Sequence, residues 1–501
     1  MTYSAINIGP IDKTLGMARK PRELWSASYL FSFLMKCIIE TLPQEISIIS
    51  PFKIGNTEKN GIGLYPDRLF VKGKLEYESI EPVVKEVSEK TGIPQEYFNV
   101  MLITADFTKD SEAIEVLNKT FDRMELFNRT TEYKDKVASL ISKKYKSPLF
   151  DDAFEKNKFK IPTLAEIASI QLSTINKDKW KSARKYEQEE EGSTLPENFK
   201  IVNEDAFYKK LKEEFPTDIK SYHKYICVVQ ADGDNVGKTV SHKELKEGKV
   251  KEISEALLQF GKNAKEAINN FGGLPIYAGG DDLLFIAPVV GKDNTSILSL
   301  LDKLNNESFK PVVDKVEGYR LKDDKGNLIK ASLSFGVSIN YYKHPLYEIL
   351  QNAQHLLFCE AKNRDLGKNA IALDFRKHSG GAFKLVYSKN NKELEDAFKK
   401  LIQKSDVEES EVSAISHKIR GNKDLILLWY KEEPTIVEKR NLNFYKKFLE
   451  LKEDEKDTYK TSTLEVLNEL YKTSKEENIV QNMYCMLRVA KFIKGEELRD
   501  E

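Results

Sequence analysis

The chain has 501 residues, with 79 Lys+Arg against 79 Asp+Glu, and this neutral balance argues against a freestanding, non-specific nucleic-acid binder. Its length favours several domains, and 40% apolar content is enough for packed cores. No charged-then-apolar leader opens the sequence and no run approaches about 18 apolar residues, so neither secretion nor a membrane is expected and the cytoplasm is the predicted compartment. The cysteines are Cys37, Cys227, Cys359 and Cys485. None falls in a CxxC spacing, so no zinc is expected. Cys227 and Cys359 read as core residues of a strand and a helix.

Ser4 to Ile11 predicts a first strand. A basic stretch with Arg19, Lys20 and Arg22 then leads into an apolar-periodic helix through Phe33, Leu34, Cys37 and Ile38. These basic residues are candidate phosphate-backbone contacts; a solvated helix start with Trp25 in the core is the plainer reading. Ile46 to Ile49 predicts a strand, Gly61 to Phe70 a glycine-rich turn and strand, Val83 to Gly92 a helix, and Phe98 to Ile103 a strand. That β-α-β-β-α-β order is ferredoxin-like. It carries no paired-aspartate turn, so no metal is expected in it.

Ser111 to about Asp218 reads as mostly helical, with Pro162-Thr163 opening one helix. Lys179 to Glu191 is charge-rich, and Gly192 to Pro196 reads as an exposed loop. The apolar run Tyr225 to Val229 is followed by Gln230-Ala231-Asp232-Gly233-Asp234, which puts carboxylates at a strand end. Val250 to Asn270 predicts a helix from Ile253, Ala256, Leu257, Phe260, Ala264, Ala267 and Ile268.

Leu274 to Pro288 reads LPIYAGGDDLLFIAP, two apolar runs joined by a glycine-containing turn, and predicts a β-hairpin. Asp281 and Asp282 stand where the chain turns back, in a turn read as exposed. Two carboxylates about 4 Å apart repel by roughly 4 kcal/mol at an effective dielectric near 20. A cation removes that cost, and oxygen-only ligands favour Mg²⁺ or Mn²⁺. Gly and Asp are also ordinary turn residues, so a solvated turn is the competing reading. Asp232 tips the balance. It precedes Asp281 by 49 residues, and a strand, a helix and a hairpin can bring both onto neighbouring strands. Carboxylates from two strands are what two-ion phosphoryl transfer requires.

Downstream come Ala331-Ser332-Leu333-Ser334-Phe335-Gly336-Val337-Ser338-Ile339, then Pro345-Leu346, then a helix through Ala353 and Leu357 to Ala361-Lys362, and Gly367-Lys368-Asn369. Ser332 and Ser334 alternate onto one face of a strand. Asp314 to Lys330 reads as a hairpin with a polar tip, and Ile371 to Phe375 as a last strand. Glu393 to Glu501 is dominated by helical patterns such as Leu394, Ala397, Phe398 and Leu401, and it reads as a docking bundle. Its aromatics, Trp429, Tyr430, Phe444, Tyr445 and Phe448, are read as core more readily than as RNA-stacking platforms.

The order from Asp232 to Asn369 resembles the catalytic palm of the large, polymerase-like subunit of type III CRISPR effector complexes. Ala18 to Leu30, Gly61 to Arg68 and Pro162 to Ala168 resemble its Cmr-type (III-B) form. GGDEF-type cyclases share the outline but carry Glu where this chain has Asp282.

The resemblance implies an α+β chain with two ferredoxin-like palms: 1–110 a non-catalytic palm, 111–220 a helical linker, 221–378 the catalytic palm, and 379–501 a helical domain. It implies an RNA-activated nucleotidyltransferase that converts ATP into an adenylate messenger such as cyclic oligoadenylate. Guide RNA, target RNA and other effector subunits are the implied partners. Asp232, Asp281 and Asp282 become candidate catalytic residues, and Asp232, Gly233, Asp234, Asp281 and Asp282 candidate ligands of two Mg²⁺ or Mn²⁺ ions. Gly279, Gly280, Ser332, Ser334, Lys362 and Lys368 become candidate ATP contacts. Many family members begin with an HD-type nuclease domain, and no His-Asp dipeptide occurs here, so no DNA cleavage is expected. A non-catalytic scaffold and a freestanding GGDEF-like cyclase are the alternatives.

Overall fold

The computed structural model describes residues 1–54, 59–126, 133–142, 147–154, 161–184, 187–188, 201–316, 321–322, 326–363, 368–403, 409–430, 459–473 and 478–495. The first unit runs β1 (Thr2–Asn7), α1 (Pro21–Thr41), β2 (Ser47–Ser50), β3 (Arg68–Lys72), α2 (Tyr77–Thr91) and β4 (Met101–Asp106). Its antiparallel sheet has the order β2-β3-β1-β4, the ferredoxin-like arrangement predicted. The boundaries move by a few residues. β1 ends at Asn7, short of Ile11, because a short helix, Ile11–Leu15, opens behind Pro10. Trp25 is buried in α1, and its indole N–H donates to the Gly61 carbonyl at 3.0 Å.

Described linker helices include Lys134–Ser142, Leu164–Ala168, Lys177–Ala183 and Glu204–Glu214. Thr163 and Glu166 cap the second of these reciprocally: Glu166 N–H donates to the Thr163 hydroxyl at 3.2 Å, and Thr163 N–H to the Glu166 carboxylate at 2.8 Å. The expected loop Gly192 to Pro196 lies outside the described residues, as do Phe444, Tyr445, Phe448 and the side chains of Trp429 and Tyr430.

The second unit follows as β5 (Tyr225–Asp234), α3 (Lys249–Phe271), β6 (Leu274–Gly279), β7 (Asp282–Pro288), β8 (Ser332–Tyr341), α4 (Leu346–His355), β9 (Ala370–Arg376) and β10 (Ala382–Ser388). A composite helix spanning 297–313 connects β7 to β8. The sheet order is β10-β9-β8-β5-β7-β6; β8 and β9 are parallel and every other pair is antiparallel. β10 corrects the sequence reading. Ala382 to Ser388 pairs along β9, so the sheet continues past residue 378, where the helical domain was expected to begin. Its apolar residues Phe383, Leu385 and Tyr387 are buried at every second position, a strand signal the earlier turn Gly380-Gly381 obscured.

Strand alternation gives this sheet two buried faces. Cys227, Val229, Ala231, Leu283 and Phe285 pack with Phe260, Ala264 and Ile268 of α3. Ile226, Val228, Ile276, Leu284 and Ile286 share the opposite core with α4 and with α1 of the first palm. The palms also join through main chain, where Ala278 N–H donates to the Gly63 carbonyl at 2.9 Å.

The C-terminal helix α5 (Ile479–Ile493) closes the far edge. Phe492 stacks on Phe375 with ring centroids 4.1 Å apart and meets Tyr225 edge-on at 5.0 Å. Truncating a buried Phe costs about 3–5 kcal/mol. Phe492→Ala should therefore lower unfolding free energy by about that amount and loosen α5 first, measured by denaturant titration with amide exchange read along α5.

Candidate active site

The site forms where β5 ends beside the β6–β7 hairpin. β5 pairs with β7 from Ile226↔Pro288 to Ala231↔Leu283, and Gly279 pairs with Asp282 across the hairpin. Gly280 and Asp281 therefore make a two-residue turn, with Gly280 at φ +66°. Beyond the Ala231↔Leu283 pair, Asp232 and Asp282 lie on the face away from α3.

Gly233 is the meeting point. Its N–H donates to the Asp281 carbonyl at 3.2 Å. A Cβ there would stand 2.7 Å from Asp281 Cβ and 3.0 Å from Asp281 Oδ2, so only glycine lets the Asp281 side chain lie against β5. The Gly233 carbonyl lies 3.4 Å from Lys362 Nζ, which also forms an ion pair with Asp232 Oδ1. Lys362 is placed by a π-helical turn, 356–361, that continues α4; its N–H donates to the Leu357 carbonyl at 2.9 Å.

The hairpin turn is half-buried, not exposed as its composition suggested. Burial, opposed by a hydrogen bond and reinforced by Asp234, pushes the Asp281 carboxyl up to about 6. Burial pushes Asp282 well above the carboxylate range, with Asp281 and then Asp67 and Asp12 of the first palm adding to the repulsion. Burial, then the charge of Lys368, pushes the Lys362 ammonium down to about 7, and the Asp232 carboxylate in contact with it opposes that push.

Among the described residues no three His, Cys, Asp or Glu side chains converge on one ion-sized point. The donors nonetheless fit a hard cation. The Asp232 carboxylate and the Gly233 carbonyl, both expected ligands, already converge on a cation, the Lys362 ammonium, and the Asp281 carboxylate adjoins the same glycine.

A model of the Cas10/Cmr2 second palm domain matches residues 225–372, and a model of the N-terminal region of the CRISPR-associated protein Cmr2 matches residues 3–227. The chain belongs to the Cas10/Cmr2 family. The CRISPR system Cmr subunit Cmr2 of Pyrococcus furiosus is 31% identical over 185 residues, an alignment covering 32% of this chain and 19% of that subunit. The match thus spans about a fifth of the relative's length. The fold is shared with the type III-B Cmr-beta structure in its apo state, at TM-score 0.59 and 12% identity over 99% of this chain and 82% of the other. It is shared equally with Cmr-beta bound to cognate target RNA, at TM-score 0.61 and 11% identity over 98% and 83%.

Within this Cas10/Cmr2 palm, several expected nucleotide contacts are occupied otherwise. Ser332 and Ser334 turn inward and donate to Asp234, so the polar face of β8 serves the protein's own carboxylate. Asp234 is itself fully buried. The space Gly279 leaves is filled by the Tyr277 hydroxyl, which stands where a Cβ would be, whereas nothing lies within 4 Å of Gly280's. Lys368 sits at φ +63° with Nζ 3.4 Å from Asn235 Oδ1, and its charge acts on Asp281. Gly367 lies outside the described residues. Cys359, expected in the core, is exposed: it lies off the buried stripe of Ala353, Leu357 and Ala361 on its helix. Arg19 and Lys20 are exposed, and Arg22 donates to the Ser142 carbonyl at 3.3 Å.

One residue escaped the sequence reading. Lys389 is 7% exposed, donates to the Leu333 carbonyl at 3.0 Å and stands 4.7 Å from the Phe335 ring centre. Burial pushes its ammonium down to about 7. A lysine directly after a strand carries no signal of burial; only the unrecognised strand β10 would have placed it.

Two measurements follow from this electrostatic arrangement. Asp281 is an acid with its folded pKa raised from 3.8 to about 6. Its contribution to stability is whole below the lower value and is lost as pH rises through the higher. Metal-free chain should therefore lose on the order of 2 kcal/mol between pH 4 and 6 from this group, and Asp281→Asn should flatten that interval in pH-dependent denaturation. In Mn²⁺ titration without nucleotide, Asp232→Ala should weaken binding about tenfold or more, and Lys362→Met should tighten it about fivefold by removing the competing ammonium.

Proposed function

We propose that this chain is a metal-dependent nucleotidyltransferase that uses ATP. The observation that carries the reading is the convergence of Asp232, the Gly233 carbonyl and Asp281 at one glycine, with Lys362 and Lys368 beside them. Two anionic side chains and one carbonyl suit Mg²⁺ or Mn²⁺, while two lysines on the adjoining loop suit a triphosphate. Bound there, the divalent ion would supply charge neutralisation and activation of a hydroxyl at neutral pH. Asp232, Gly233 and Asp281 would hold it; Asp282 is the second choice.

The chain's own groups do the rest. With Asp232 engaged by the ion, the Lys362 ammonium would be free to hold phosphate oxygens. Lys368 adds a second positive charge on the same side. The backbone at Gly280 has room for a close approach of phosphate or acceptor. The acceptor hydroxyl then gives its proton to solvent, its oxygen bonds to the α-phosphorus, the α–β phosphoanhydride bond breaks, and pyrophosphate leaves. An acceptor hydroxyl on a second ATP gives an oligoadenylate, which can close to a cyclic messenger; a different acceptor gives another adenylated product.

Control by RNA is part of the proposal. The relatives include a type III-B Cmr-beta complex bound to cognate target RNA. Here the first palm touches the catalytic hairpin through the Ala278–Gly63 hydrogen bond and through the charge of Asp67 on Asp282. Guide and target RNA bound with the other effector subunits would shift that junction. A 100-fold activation requires only about 2.7 kcal/mol of differential binding.

A non-catalytic scaffold is the second reading, favoured by the Lys362–Asp232 ion pair, which satisfies the aspartate without any ion. Mass spectrometry of products separates the two. With ATP, Mg²⁺ or Mn²⁺, partner subunits, guide RNA and target RNA, the wild-type chain should form adenylated product and release pyrophosphate. Asp281→Ala with Asp282→Ala should abolish product while RNA retention stays intact. Full activity of the double variant, or no product from the complete assembly, refutes the assignment.

A further inference from the structure

Asp234 stands two residues beyond Asp232 on the same strand face, yet its surroundings differ in kind. It is 0% exposed. Its Oδ2 accepts from Ser332 Oγ at 2.7 Å and from the Asn369 N–H at 2.9 Å, and Ser334 Oγ lies 2.9 Å from both oxygens. Each donor belongs to the protein, so both carboxylate oxygens are engaged.

The Asn369 contact reaches across to the loop that carries the lysines. Lys368 and Asn369 have φ +63° and +48°, two successive non-glycine residues in the left-handed region. That conformation is costly for residues with a Cβ and persists only where neighbours fix it. Here it is fixed from both sides. Asp234 accepts the Asn369 N–H, and the Asn369 carbonyl accepts from Lys389 N–H at 2.7 Å. Lys389 is in turn anchored on β8 by its own side chain.

We propose that Asp234 is a positioning residue for the nucleotide: by holding the left-handed Lys368–Asn369 turn against the end of β5, it sets where the Lys368 ammonium meets the triphosphate. It is not an ion ligand. The inference rests on the ATP-using reading of the site and assigns a division of labour within it. Asp232 and Asp281 serve the cation; Asp234, Ser332, Ser334 and Lys389 serve the loop.

The test uses the full chain with three readouts: Mn²⁺ affinity without nucleotide, affinity for a non-hydrolysable ATP analogue with Mg²⁺, and exchange of the Asn369 amide. Asp234→Asn should leave Mn²⁺ affinity unchanged, weaken the analogue about tenfold, and speed exchange at Asn369. Asp232→Ala should instead lose Mn²⁺ and leave Asn369 protected. Ser334→Ala keeps the carboxylate and removes one donor; it should show the Asp234→Asn pattern more weakly and decides the matter if Asp234→Asn fails to fold. Loss of Mn²⁺ binding by Asp234→Asn to the extent seen in Asp232→Ala, with nucleotide binding by wild type intact, overturns this proposal alone. Wild-type chain that binds neither Mn²⁺ nor the analogue overturns the catalytic reading and this inference with it.

Discussion

The Gly233 N–H donates to the Asp281 carbonyl at 3.2 Å, its carbonyl faces the Lys362 ammonium, and its missing side chain leaves room for the Asp281 carboxylate. These three relations depend on one residue with no Cβ, placed where β5 runs out beside the hairpin. Any larger side chain would push Asp281 off the strand, and the hairpin turn would lose its main-chain link to β5. The rest of the second palm follows from that demand. α3 buttresses one sheet face, and α4 with α1 covers the other, so the strand ends cannot drift apart.

Charge is the second constraint. Half-buried carboxylates crowd the end of the sheet, and two lysines stand among them. Lys362 neutralises Asp232 directly, while burial keeps Asp281 and Asp282 above the usual carboxylate range, with Asp234 repelling the first and Asp281 the second. Such a site is poised to exchange an internal cation for an external one. The first palm contributes to the imbalance, because Asp67 is itself pushed up to about 6 by burial and repels Asp282. Asp67 and Asp12 on one palm and the paired aspartates of the hairpin on the other make the junction electrostatically sensitive to any shift between them.

Much of this was legible in the sequence. The GGDD hairpin, the strand ending at Asp232 and the α3 periodicity are strong local patterns that placed the hairpin beside the Asp232 strand in the second palm, and the β-α-β-β-α-β order of the opening residues gave the first palm. What failed did so for physical reasons. Lys389 and β10 were hidden because alternation after Gly380-Gly381 was brief and the flanking pattern helical. Ser332 faces Asp234 directly across β8 and β5 and Ser334 reaches it diagonally, and no spacing within either segment shows which hydroxyl faces which carboxylate. The depth of the hairpin turn depends on the first palm packing against it, a contact between segments some two hundred residues apart. Cys359 stands two residues from Leu357 and so faces away from the buried stripe of Ala353, Leu357 and Ala361, a position the 3.6-residue pattern itself assigns to the outer side.

The central claim is that the oxygens now gathered around the Lys362 ammonium are a divalent-cation site serving a nucleotide. A crystal structure with Mn²⁺ and a non-hydrolysable ATP analogue tests it most directly, because Mn²⁺ is located by its anomalous scattering. The account predicts a Mn²⁺ peak bridging Asp232, the Gly233 carbonyl and Asp281, with Lys362 turned from Asp232 onto phosphate oxygens. A structure in which Lys362 stays on Asp232 while Mn²⁺ and the analogue bind elsewhere would contradict it.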